Sequence, residues 1–107
     1  MTSAEAGSWT AVAAVDELRA AGRLERLVGR KPVLLIWQDE APLACAALCP
    51  HAFAPLCEGE VRDGRIHCAR HQASFDLATG DVDSGWRLPP LAIYPARVNA
   101  GQVEICI

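Results

Sequence analysis

Positive charge is in short supply: ten Lys and Arg stand against thirteen Asp and Glu, a formal net charge of −3. Nucleic-acid binders normally present a basic domain, so that class is set aside. Long apolar runs are missing too, and none approaches the ~20 residues a bilayer span needs. The opening stretch, Met1 to Ser8, has no basic segment, no apolar core and no paired arginines. No export signal is read there, and a cytoplasmic location is expected. Internal repeats, low-complexity tracts and linkers are lacking. So is a glycine-rich dinucleotide fingerprint, which argues against direct hydride transfer from a nicotinamide cofactor.

What is present suits one small domain. The 107 residues fall in the usual single-domain range, and 51% hydrophobic with 21% charged residues does not fit a disordered chain. A domain of this size buries a modest core, so a metal is a plausible supplement. The five cysteines are Cys45, Cys49, Cys57, Cys68 and Cys106. An odd number in a chain expected to stay in the cytoplasm does not suggest a disulfide framework. Some of these thiols are expected to ligate metal and the rest to pack as small apolar groups.

The turn chemistry is that of an all-β domain. Asp63-Gly64 between Glu60–Arg62 and Arg65–Cys68 is a strong two-residue hairpin signal. Asn99-Ala100-Gly101 separates the run Ile93–Val98 from Gln102–Ile107, whose Val103, Ile105 and Ile107 alternate as on a half-buried strand. Val33–Trp37 reads as a buried strand, paired with Leu43–Leu48 across a turn at Gln38–Pro42, and Thr79-Gly80-Asp81 marks another turn. Between Val12 and Val28 the spacing allows one helix. The reading preferred here is a helical turn around Asp16–Ala21, ended by Gly22, and then a strand around Leu24–Val28. Trp9 and Trp37 are expected in the core.

The chemistry concentrates in Cys49-Pro50-His51 and Cys68-Ala69-Arg70-His71, sixteen residues apart with the Asp63-Gly64 hairpin between them. That hairpin can bring two Cys/His loops face to face, so that two thiolates and two imidazoles converge. A tetrahedral zinc site can use this set. A one-residue Cys-x-His spacer is tight for a single ion, however, and suits ligands that go to two different atoms. A binuclear iron–sulfur cluster meets that condition, and neutral imidazoles raise its potential relative to four thiolates. Zinc stays open as the alternative, a metal-stabilised interaction module.

These residues, with Ala54-Pro55-Leu56, Glu58-Gly59-Glu60 and Phe75-Asp76…Thr79-Gly80, resemble the Rieske-type [2Fe-2S] ferredoxins of bacterial aromatic-ring-hydroxylating dioxygenase systems. The resemblance implies an all-β Rieske fold of three small antiparallel sheets over residues 1–107, with a cluster-binding sub-domain at about 45–86 and a proline-containing third loop at Trp86–Pro90. Cys49 and Cys68 would ligate the inner iron of one cluster, and His51 and His71 the outer iron near the surface. It further implies a soluble one-electron carrier, not an enzyme. An NAD(P)H-dependent flavoprotein reductase would load it, and a terminal oxygenase would drain it through brief contacts. Neither a nucleic-acid nor a membrane partner is expected, and the protein is expected to be monomeric. A small subunit of a nitrite reductase is the rival within the same family. An oxygenase is excluded because its mononuclear iron needs two His and a carboxylate. Only His67 remains outside the cluster set.

The departures from the family are informative. Rieske proteins of the cytochrome complexes add a disulfide that clamps the two loops. Here Arg70 occupies one of those positions and Cys57 lies too far along, so no clamp is expected. Their cluster-bonding Ser and Tyr correspond to Ala73 and Phe75, neither of which can donate a hydrogen bond. Fewer donors to the sulfurs disfavour the reduced, more negative state, so a low potential is expected. Gln72 replaces a frequent Gly, and Arg70 reads either as a solvated side chain or as a charge beside His71 suited to a partner. Phe53 reads as a docking group or a cluster cover. His67 is taken as a surface residue, and Cys45, Cys57 and Cys106 as packing. The acids Glu58, Glu60, Asp63, Asp81 and Asp83 would mainly solubilise.

Overall fold

Tight turns set the strand pairing. The computed structural model describes residues 8–48, 59–68, 73–82 and 90–107. Strands β2 (Arg23–Val28) and β3 (Lys31–Gln38) are joined by Gly29-Arg30, and β3 and β4 (Ala41–Ala46) by Asp39-Glu40. Strands β5 (Glu60–Arg62) and β6 (Arg65–His67) are joined by Asp63-Gly64, and β9 (Ala96–Asn99) and β10 (Gln102–Cys106) by Ala100-Gly101. In the last three of these turns both central residues have positive φ, from 52° to 78°. This backbone twists with the strands it connects. Asp63-Gly64 has the expected chemistry for it. Asp39-Glu40 has none, which is why the expected Gln38–Pro42 turn proves shorter and β4 starts at Ala41, with Pro42 already opposite Trp37.

Three antiparallel sheets result, as the family resemblance implied. The first is ordered β1-β10-β9, where β1 is Trp9–Ala14. The second is β2-β3-β4-β8, where β8 is Ile93–Tyr94, and the third is β5-β6-β7, where β7 is Ser74–Asp76. Strand β3 lies between two cores, which explains its unbroken apolar run. Val33 and Leu35 pack with Leu18, Ala44, Val103 and Ile105 on one face. Leu34 and Ile36 pack with Cys45, Ile66, Phe75, Leu77 and Leu91 on the other. The second sheet is therefore the middle layer, and its second core joins it to the third sheet.

The helix α1 (Val15–Ala21) buries Leu18 and ends at Gly22, whose φ of 82° and N–H bond to the Leu18 carbonyl (2.8 Å) close it. This is the short helix, followed by a strand, read from the sequence. Strand β1 carries no sequence signal, because Ala11, Val12, Ala13 and Ala14 do not alternate; its pairing with β10 shifts register between Ala11 and Ala13. Two expectations are corrected. The run 93–98 is two strands. Pro95, which has no N–H, divides β8 in the second sheet from β9 in the first. Trp9 and Trp37 are only half-buried, their rings covered by the guanidinium groups of Arg97 (4.1 Å) and Arg19 (5.0 Å).

Candidate metal centre

The third sheet brings Gly59, Cys68 and Ala73, which flank the two Cys/His segments, to one end. The Asp63-Gly64 turn closes the β5–β6 hairpin at its other end, and the register places Glu60 opposite His67 and His67 opposite Ser74. Beyond these pairs lie Gly59, which follows the first Cys/His segment, and Cys68 and Ala73, which bound residues 69–72 of the second. The Cys68 N–H donates to the Ala73 carbonyl at 2.7 Å, closing a connection of four residues, 69–72, whose third is His71. The first segment departs after Ala47, whose N–H donates to the Pro32 carbonyl at 3.0 Å. It returns at the buried Gly59, whose carbonyl accepts a hydrogen bond from the Arg23 guanidinium.

Cys68 is 1% exposed and takes part in no disulfide. A buried thiol three residues before a histidine is a pair of donors that a His-ligated iron–sulfur centre can use. Cys49, His51 and His71 lie outside the described residues, as do Phe53, Cys57, Glu58, Arg70, Gln72, Asp83 and Trp86. Ala73 and Phe75 are both fully buried in the core beside Cys68. No hydroxyl is available at either position.

The remaining described cysteines behave differently. Cys45 is fully buried on β4, and burial pushes its thiol up to about 12, so it stays protonated in water of ordinary pH. Burial also raises the Tyr94 hydroxyl, with a smaller contribution from Cys45. Cys106 is a buried residue of β10. Both fill core space, as expected. His67 is half-buried between Glu60 and Ser74 on the outer face of the third sheet.

Two arginines not singled out in the sequence support the site. Arg65 donates to the Ser74 Oγ (2.9 Å), the Ser74 carbonyl (3.1 Å) and the Asp81 carbonyl (3.2 Å), tying β6, β7 and the following turn together. Its Ser74 partner sits opposite the neighbouring His67, so a cross-strand reading of the hairpin could have found it. Arg23 reaches a carbonyl 36 residues away in another sheet, for which the sequence carries no signal. At Gly80, φ is 84° and the Leu91 N–H donates to its carbonyl at 2.8 Å. With the Phe75–Val82 bridge, this secures both ends of the stretch 83–89.

The profile of the Rieske [2Fe-2S] domain matches residues 8–95. The chain belongs to the Rieske [2Fe-2S] family. It is 34% identical over 105 residues to the anthranilate 1,2-dioxygenase ferredoxin subunit of Burkholderia cepacia, covering 98% of this chain and 97% of that protein. A chain in the complex of reduced oxygenase and oxidized ferredoxin of carbazole 1,9a-dioxygenase superposes with a TM-score of 0.79, at 25% identity and over 92% of both chains. A chain assigned as the small subunit of an NADH-dependent nitrite reductase from Mycobacterium tuberculosis shares the fold. Its TM-score is 0.78, at 22% identity, covering 94% of this chain and 96% of that one. The resident cofactor of this Rieske protein is one [2Fe-2S] cluster, and its role is that of an electron-transfer component of the ferredoxin type. Among the described residues, no helix is long and apolar enough to cross a membrane.

Proposed function

We propose that this Rieske protein carries single electrons from an NAD(P)H-dependent flavoprotein reductase to a terminal aromatic-ring dioxygenase. The observation that carries the reading is the end-to-end likeness to a dioxygenase ferredoxin subunit of the same length. Cys49 and Cys68 hold the inner iron and His51 and His71 the outer one, within a sub-domain of about residues 45–86. The meeting of Gly59, Cys68 and Ala73 at one sheet end supports this assignment. The cluster supplies reversible uptake of one electron. The chain's part is to exclude water from the sulfur side through Ile66, Cys68, Ala73 and Phe75, and to present the imidazole edges of His51 and His71 to partners.

Buried Ala73 and Phe75 offer no hydroxyl to the sulfurs. The potential therefore belongs near the lower end of the roughly −150 to +300 mV range of His-ligated centres. Contacts with both partners are small and transient, and the protein works as a cytoplasmic monomer.

Iron and acid-labile sulfide analysis, with EPR of the dithionite-reduced protein, tests the site. Two irons, two sulfides and a His-ligated cluster signal are expected; a colourless zinc protein refutes it. Mixing the cluster-loaded chain with a reductase and a dioxygenase tests the role, which requires that turnover depend on added chain. Purification as a fixed-stoichiometry complex with a nitrite reductase would move the assignment to the rival reading, which the shared fold leaves in play.

A further inference from the structure

Where β3 begins, the second sheet carries a groove of about 380 Å³. Pro32, Ala46, Leu48 and Pro90 give it apolar walls, and Lys31 and Tyr94 line it as well. Its floor is fixed by backbone. The Ala47 N–H donates to the Pro32 carbonyl (3.0 Å) and the Ala46 N–H to the Ala92 carbonyl (2.9 Å). Among the described residues, five arginines form ion pairs and Arg23 donates to the Gly59 carbonyl. The side chains of Arg30 and Lys31, both exposed, take part in no ion pair or hydrogen bond, and the Tyr94 hydroxyl takes part in no hydrogen bond. Asp39 and Glu40, exposed and equally unpaired, stand past the far end of β3, roughly 23 Å away at the usual rise of a strand. In a chain of net charge −3, the second sheet thus places two unneutralised cations at the end where Leu48 leads into Cys49.

We propose that this groove docks an acidic segment with an apolar tip, carried by the flavoprotein reductase that loads the protein. The inference rests on the function proposed above and names the surface of this chain that the reductase uses. An apolar side chain of the partner fills the space between Ala46, Leu48 and Pro90. Carboxylates beside it meet the Lys31 ammonium and the Arg30 guanidinium, and the Tyr94 hydroxyl donates to an acceptor of the same segment. Attraction to the two cations speeds the encounter, while the apolar contact is small enough for the pair to part quickly. The charge of the cluster selects between the two redox partners. Leu48 is one peptide bond from Cys49, so a partner seated here lies against the proposed ligand segment. Reduction adds one negative charge to the cluster, and an acidic surface held against this end therefore binds the oxidised carrier more tightly than the reduced one. A loading partner needs that order, whereas a terminal oxygenase must take up the reduced carrier.

The test takes the reductase and the oxygenase with which the cluster-loaded wild-type chain supports turnover in the mixing assay above. Arg30→Glu, Lys31→Glu and the groove-filling Ala92→Trp are compared, all at exposed positions. The readouts are the Kd for the oxidised reductase by titration calorimetry, the KM of the reductase for the chain, and the rate at which dithionite-reduced chain passes electrons to the oxygenase. Each charge reversal is expected to weaken reductase binding about tenfold at low salt and far less at high salt, because exposed charges are screened. Ala92→Trp is expected to weaken it at both. The oxygenase step, the EPR spectrum and the thermal midpoint are expected to stay those of the wild type. Wild-type reductase affinity in Lys31→Glu and Ala92→Trp overturns the proposal. So does a loss confined to the oxygenase step, which would give the groove to that partner. A wild-type chain that no flavoprotein reductase reduces overturns the proposed function itself, and that result is read before any variant is compared.

Discussion

Replacing Gly80 with alanine should be among the most damaging single-methyl changes in this protein. A Cβ there would lie 2.0 Å from the Leu91 carbonyl oxygen and 3.3 Å from the Ile93 Cγ1. Contacts under 3.0 Å are essentially never adopted by real Cβ atoms, so the two backbones must part by about 1 Å. That opens the 2.8 Å bond from the Leu91 N–H to the Gly80 carbonyl and uncovers Leu91, now only 2% exposed. A lost bond with both partners left buried costs about 1–3 kcal/mol. The φ of 84° adds about 1–2 kcal/mol for any L-residue. The control is Gly101→Ala, where φ is 78° but nothing lies within 4 Å of the added Cβ, so only the backbone term applies. Gly80→Ala should therefore exceed the control by about 2–3 kcal/mol, or roughly 10–15 °C in a domain of this size. The assay is the thermal midpoint of cluster-loaded protein, followed by visible absorbance and far-UV circular dichroism at one scan rate. Equal losses for the two variants would refute the close-approach argument.

Three further outcomes are expected. Ala73→Ser or Phe75→Tyr, by supplying a hydroxyl beside Cys68, should raise the midpoint potential by about 40 mV for each kcal/mol by which the new bond favours the reduced state. An unchanged or lowered potential in both would remove these positions from the proposal of a low potential. The Cys45 thiol ionises near 9 when unfolded and near 12 when folded. Its contribution to stability is whole below pH 9 and is lost as pH rises from 9 towards 12, at up to about 1.4 kcal/mol per pH unit. Cys45→Ala should flatten that alkaline loss in denaturant titrations, although it costs stability at neutral pH; an unaltered slope counts against the burial argument. Arg65→Met strands the hydroxyl of Ser74, itself 2% exposed, and should cost about 2–3 kcal/mol. Adding Ser74→Ala should recover part of this. A strictly additive double variant would show that the pair is not coupled.

Much of the architecture was legible because local chemistry and tertiary context agree. Asp63-Gly64 is a turn pair that few other backbones suit, and it sits between short strands, so the β5–β6 hairpin followed from the nine letters Glu60 to Cys68. Gly22 ended the helix as expected, because the backbone there needs φ near 82°. The Cys-x-His and Cys-x-x-His spacing carried the family, and through it the three sheets and the single cluster. Where local chemistry is weak, the sequence was silent. Asp39-Glu40 makes the same kind of turn as Asp63-Gly64 with residues that do not favour it, held there by six pairs between β3 and β4. The alanine-rich β1 is a strand because β10 offers it an edge, and β8 and β9 separate because Pro95 cannot donate to either sheet.

The sequence by itself determined which atoms can hold metal and which turns must form, since both depend on residue identity within a few positions. Only the tertiary structure decided that Gly59, Cys68 and Ala73 share one end of a sheet. The same holds for Leu34 and Ile36 facing a different core from Val33 and Leu35, and for Arg23 reaching a carbonyl in another sheet. Such contacts form when sheets stack, and the cost of closing the long stretches of chain between them is repaid by burial of the whole layer. No short run of residues carries that information.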